Sequence, residues 1–131
     1  GFDRMFHILE VSDAAARIQQ AAIDAQQAAI AAIRPGVTAQ SIAEAADAVY
    51  GQRGYATGYR TGRSIGMAYL ESPELKHGDK TILKAGMTFA VDGGISVDGE
   101  LGGRIGDSIV VTETGCEYLT EYPRQLLVVN R

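Results

Sequence analysis

The chain has 131 residues, of which 46% are hydrophobic and 21% charged, and 12 basic against 16 acidic side chains give it a formal net charge of -4. A chain of this size and composition forms one ordinary domain with a genuine core, which excludes disorder. Its basic residues are scattered rather than clustered, no apolar run approaches the ~18 residues of a membrane span, and no charged-then-apolar leader opens the chain, so neither nucleic acid nor membrane is an expected partner.

The chain opens on Gly1, and Phe6 and Ile8 already read as strand. This suggests a sheet entered partway through, in a fragment or a processed chain. Ser12 then supplies an N-cap for an alanine-rich helix running to Arg34, where Pro35-Gly36 stops it. Ile18, Ala22, Ala25, Ala29 and Ile33 recur at spacings of three and four, an apolar stripe whose small side chains permit close packing on a sheet. Gln19, Gln20, Gln26 and Gln27 are expected to face elsewhere.

Thr38 caps a second predicted helix, with Ile42, Ala45, Ala46, Val49 and Tyr50 on one face and Gly51 and Gly54 at its end. From Tyr55 onward helical periodicity gives way to short apolar runs bounded by glycine. Strands are predicted at 87–91, 95–97, 104–112 and 126–129, with Asp98-Gly99 as a hairpin turn. Helices first and antiparallel strands second predict an α+β fold, two amphipathic helices packed on one face of a curved antiparallel sheet. No linker or internal repeat divides residues 1–131.

The lone cysteine, Cys116, cannot form an internal disulfide and follows a predicted turn at Glu113-Thr114-Gly115. It reads as a residue without a chemical role rather than as a reactive thiol, and a reducing, cytoplasmic compartment fits it. His7 and His77 read as surface or edge-strand residues rather than as catalytic groups.

Three segments in order carry a family signature: Tyr59-Arg60-Thr61-Gly62-Arg63-Ser64-Ile65-Gly66, Gly86-Met87-Thr88-Phe89-Ala90-Val91-Asp92-Gly93-Gly94, and Gly103-Arg104-Ile105-Gly106-Asp107. With Ile33-Arg34-Pro35-Gly36-Val37-Thr38 before them, they resemble the carboxy-terminal half of a pita-bread hydrolase domain, the creatinase and aminopeptidase P family. The resemblance covers nearly the whole chain. It implies cleavage of an amide or other C–N bond in a small or Xaa-Pro-like substrate. Active members of that family bind two divalent metals through two aspartates, one histidine and two glutamates, and the metal pair activates the attacking water.

Carried over residue by residue, the histidine falls on Arg63, the first glutamate on Asp92 and the second glutamate on Gly106, while the second aspartate falls near Gly1. Of these only Asp92 can coordinate a cation, since arginine offers donors only and glycine offers no side chain. The departures imply no metal and no other cofactor. What would remain is Asp92 as acid or base, Arg63 and Arg104 as anion-binding groups, and Tyr59 or Tyr69 as pocket hydroxyls. Asp107 also matches the family pattern, and Glu71 is a further substrate-pocket candidate. Two of these have plainer readings, Arg104 as a support of the sheet and Glu71-Ser72-Pro73 as a proline-stiffened turn.

An Arg63–Asp92 ion pair is expected to occupy the space of the metal cluster, so that truncating Arg63 costs several kcal/mol. Two function classes stay open: a hydrolase-family enzyme of altered activity, and a noncatalytic pseudopeptidase that binds a small molecule or peptide. A third possibility is purely structural: with the upstream half of the domain absent or supplied by another chain, an exposed sheet edge and apolar helix faces call for a partner, either that half-domain or a second copy in a homodimer.

Overall fold

A computed structural model of the protein describes residues 6–8, 13–56, 61–65, 73–97, 101–119 and 127–129. Strand β1 (Phe6–Ile8) precedes helix α1 (Asp13–Ala32). Asp13 puts negative charge in the first turn of α1, where the helix dipole favours it; the predicted cap, Ser12, lies outside the described residues. The helix ends two residues earlier than predicted, with the Ile33 N–H donating to Ile30 O at 3.1 Å and Gly36 reversing the chain at φ 95°.

Helix α2 (Ala39–Gln52) is capped as predicted. Thr38 is extended at φ -85°, ψ 152°, and its side chain accepts from the Ser41 N–H at 3.3 Å. Gly51 lies inside α2 rather than at its end, and the left-handed residue that follows the helix is Gly54 at φ 79°.

The strands β2 (Gly62–Ser64), β3 (Glu74–Leu75), β4 (Thr88–Val97), β5 (Leu101–Val111) and β6 (Cys116–Tyr118) form one sheet in the order β3-β2-β4-β5-β6. Every neighbouring pair is antiparallel. The predicted strands 87–91 and 95–97 are one continuous strand, paired with β5 from Thr88↔Val110 to Val97↔Leu101. The predicted Asp98-Gly99 turn falls between these strands and outside the described residues. The short β7 (Leu127–Val129) pairs in parallel with β1, Phe6 opposite Leu127, a long-range pairing that local sequence pattern does not reveal.

Both helices cover one face of the sheet, the pita-bread arrangement of helices on a curved antiparallel sheet. Ala25, Ala29 and Ile33 of the first helical segment meet Ile42, Ala46 and Tyr50 of α2 over Leu75, Phe89, Val91 and Ile109. A smaller cluster joins Ala22 and Ile23 to Ile105. The predicted stripe of α1 is buried in full, and so are two residues expected to face elsewhere, Gln19 and Gln26. In α2 the buried set is Ala39, Ile42, Ala43, Ala46 and Tyr50, whereas Ala45 and Val49 are only partly buried.

Helix and sheet approach closely at Gly93. A Cβ there would stand 2.1 Å from Ala22 O, so a glycine is required for α1 to approach β4 this nearly.

Candidate functional site

Successive residues of a strand point to opposite faces of its sheet, and the register of β2, β4 and β5 therefore sorts the candidate residues into two sets. Phe89, Val91, Ile105, Asp107 and Ile109 are buried on the helix-covered face. Asp92 and Ala90 alternate with them, and Gly106 and Ser108 stand directly opposite these two on β5. Arg63 stands opposite Ala90 on β2. Arg63, Asp92 and Gly106, the three positions singled out by the resemblance, are thus brought to the same face on adjacent strands.

Arg63 and Asp92 are diagonal rather than direct neighbours, a placement that separates Cα atoms by roughly 7–8 Å. Arg63 is exposed and Asp92 half-buried. Among the described residues the ion pairs are Arg53–Asp24 at 2.6 Å, Lys76–Glu74 at 2.9 Å and His77–Asp47, and none joins Arg63 to Asp92. The expected buried pair is not formed, because the diagonal register and the exposure of the guanidinium leave Arg63 in solvent. With no buried charge to orphan, the expected cost of truncating Arg63 falls away with it.

The main chain around Asp92 is held on both sides. The Asp92 N–H donates to Thr61 O at 2.6 Å. Two residues on, where the described part of β2 gives no further partner, the Gly94 N–H donates to the Tyr50 hydroxyl at 2.8 Å. Burial raises the Tyr50 pKa above its usual value; the Gly94 N–H works against this, and the nearby Asp47 and Asp92 carboxylates add to it. Tyr50 is therefore kept neutral beside Asp92.

From the helix side, Gln26 clamps the same two strands. Its Nε2 donates to Val91 O at 3.1 Å and to Asp107 Oδ2 at 2.8 Å. Val91 precedes Asp92 and Asp107 follows Gly106, so the amide ties together the backbone on which both site positions sit. Asp107, expected among substrate-binding groups, is fully buried on the helix-covered face, away from Asp92. Arg104 stands in register opposite Gly94. Tyr59, Tyr69 and Glu71 lie outside the described residues.

Two residues with clear roles at this site were not singled out from sequence. Tyr50 read only as part of an apolar stripe, and Gln26 as an outward polar residue. The available signal for Gln26 was its position, since it falls between Ala22, Ala25 and Ala29 on the buried side of α1. Among the described residues, no group of three or more His, Cys, Asp or Glu side chains is placed to hold a metal ion. No helix among them is long and apolar enough to cross a membrane.

The sequence profile described as "Metallopeptidase family M24" matches residues 2–113, most of the chain. The chain belongs to metallopeptidase family M24. Within that family it is similar to an "Agropine synthesis cyclase" of Rhizobium rhizogenes, 43% identical over 118 residues that make up 88% of this chain and 28% of the relative. Among solved structures, dipeptidase PepE from Mycobacterium ulcerans superposes with a TM-score of 0.90 at 38% identity, covering 98% of this chain and 35% of that one. An Xaa-Pro dipeptidase from Bacillus anthracis gives a TM-score of 0.90 at 31% identity, covering 96% and 36%. This M24 chain therefore spans about a third of the length of the relatives it matches, and a peptidase-like hydrolase is the broad class to which it is related.

Proposed function

We propose that this M24 chain forms part of a small-molecule site that works without the dinuclear metal centre of its family, on an amide or related C–N bond. The observation that carries the reading is the pairing of Asp92 with Gly106 across β4 and β5, with Arg63 on the adjacent strand. One carboxylate, one position without a side chain and one permanent cation do not fit a pair of divalent ions, which needs several anionic or imidazole donors converging on it.

In this reading Asp92 is the acid or base, and Arg63, with Arg104, binds a carboxylate or a developing oxyanion. Tyr59, Tyr69 and Glu71 complete the substrate pocket, and Tyr50 fixes the main chain beside Asp92 through its bond to Gly94. The name of the Rhizobium relative supports reactions other than peptide hydrolysis on this scaffold. A cyclisation needs a base and a held electrophile, and it does not need a metal-bound water. The remainder of the site comes from a further half-domain or from a second copy of the chain. A cytoplasmic setting is part of the reading and suits the unpaired Cys116.

The second reading is a pseudopeptidase that binds a peptide or small molecule without turnover. It is favoured by Gly106, which puts a position without a side chain directly opposite Asp92. Metal content and thermal shift with manganese, cobalt, zinc and iron test the shared premise. No stoichiometric binding and no stabilisation are expected; a raised melting temperature with bound metal would sink both readings and direct assays to Xaa-Pro peptides. Turnover that is abolished by Asp92→Asn then separates the enzyme from the binding module.

A further inference from the structure

We infer that the groove between the exposed face of α1 and the end of α2 is a binding site for a small organic carboxylate. The groove has a volume of about 380 Å³ and is lined by Arg17, Gln20, Arg53 and Tyr55. That volume lies at the lower end of the range for small-molecule pockets. Arg17, Gln20 and Asp24 follow one another at i, i+3 and i+7, so they share one side of α1. Arg17 and Gln20 are exposed, whereas Ala22 and Gln26 of the same helix are buried against the sheet.

Asp24 organises the donors of the groove. It accepts from Arg53 Nη2 at 2.6 Å through Oδ2 and from Gln20 Nε2 at 2.9 Å through Oδ1. One carboxylate thus fixes a guanidinium from the residue that caps the end of α2 and an amide from α1, and each keeps further N–H groups beyond those two bonds. Among the ion pairs of the described residues none engages Arg17. Asp24 engages one of the two guanidinium groups that line the groove, Arg53, and the other, Arg17, is exposed.

Tyr55 supplies a different kind of surface. Its ring is packed against the main core cluster and its N–H donates to Tyr50 O at 2.9 Å, so the ring is a fixed wall carrying a hydroxyl. A planar guanidinium fork matches a carboxylate through two parallel bonds, and an aromatic wall favours a ligand with a carbon skeleton over a bare oxyanion. These features together select a monocarboxylate with an apolar body. The site is independent of Asp92 and stands whether or not the reading of that residue holds.

The test is a titration of the purified protein with benzoate, with acetate and with inorganic phosphate, followed by amide and arginine side-chain NMR shifts and by calorimetry. Saturable shifts at Gln20, Arg53 and Tyr55 are expected with benzoate, weaker ones with acetate and none that saturate with phosphate. Arg17→Ala should weaken benzoate binding about tenfold, the loss of one charge-assisted contact, with Arg17→Gln as a second variant and circular dichroism to verify the fold. Absence of saturable benzoate shifts, equal binding by both Arg17 variants and the parent, or tighter binding of phosphate than of benzoate would each overturn the assignment.

Discussion

Replacing Gln26 by leucine removes a side chain that bonds β4 and β5 together from the helix side. The residue is fully buried, and its Nε2 makes a 2.8 Å bond to the Asp107 carboxyl group and a 3.1 Å bond to Val91 O. Net values of about 1.5–3 kcal/mol for a bond to a charged group and about 0.5–1.5 kcal/mol for a neutral one predict a loss of roughly 2–4 kcal/mol. Leucine has nearly the volume of glutamine, so little of this loss is a cavity term. For a chain of this length the melting temperature should fall on the order of 10 °C. Urea denaturation with an unchanged slope would show that the native state, rather than the unfolded one, is affected. A double-mutant cycle with Asp107→Asn should give a coupling above about 0.5 kcal/mol. A loss below about 0.5 kcal/mol for Gln26→Leu, the usual surface range, or strict additivity in the cycle, would refute the clamp.

The exposure of Arg63 predicts that Arg63→Ala changes stability by no more than about 0.5 kcal/mol in the same denaturation assay; a loss of several kcal/mol would mean that its charge is buried and paired. The double substitution Arg63→His with Gly106→Glu places three donor side chains on adjacent strands, and it should raise the melting temperature with manganese or zinc where the parent shows no rise. At 100 times Kd such binding adds about 2.7 kcal/mol. The raised pKa of Tyr50 predicts an alkaline loss of stability. The folded protein holds the phenol proton more tightly than the unfolded chain, so the contribution is complete below the ordinary tyrosine value of 10.0 and is lost as pH rises through the higher folded value. Tyr50→Phe should be less stable at neutral pH, because the Gly94 N–H loses its acceptor, and should lose less stability than the parent between pH 10 and 11; identical alkaline profiles for the two proteins would count against this assignment.

Local chemistry was the legible part of the sequence. The Thr38 cap and the buried stripe of α1 follow from side-chain bonding and 3.6-residue periodicity, and both are found where expected. Contacts between distant residues were not legible. Gly93-Gly94 reads as a break between two strands, yet β4 runs through it, because the glycine is needed for contact with Ala22 rather than for a turn. Gln26 reads as a surface residue because its acceptors lie 65 and 81 positions away. Strands of two and three residues, such as β3 and β6, are too short to show an alternation at all. The relation of Arg63 to Asp92 depended on the β2–β4 register, which no motif specifies.

That register also separates the positions that hold the scaffold together from those of Arg63, Asp92 and Gly106. Stability resides on the helix-covered face, where Phe89, Val91, Ile105 and Ile109 are all fully buried and Gln26 joins the two long strands. Arg63, Asp92 and Gly106 belong to the alternate positions, and Arg63 and Asp92 are not part of that core. Side chains at period two are energetically separable when only one face packs against helices. Substitutions at the site positions therefore change charge and donor number without creating cavities in the core. The Thr38 cap, the close approach at Gly93 and the core strands stay under packing constraint, whereas Arg63 and Asp92 at the alternate positions stand outside that core. Arg63→Ala against Gln26→Leu is the direct comparison: the first should change folding stability by no more than about 0.5 kcal/mol, and the second should lower it by roughly 2–4 kcal/mol.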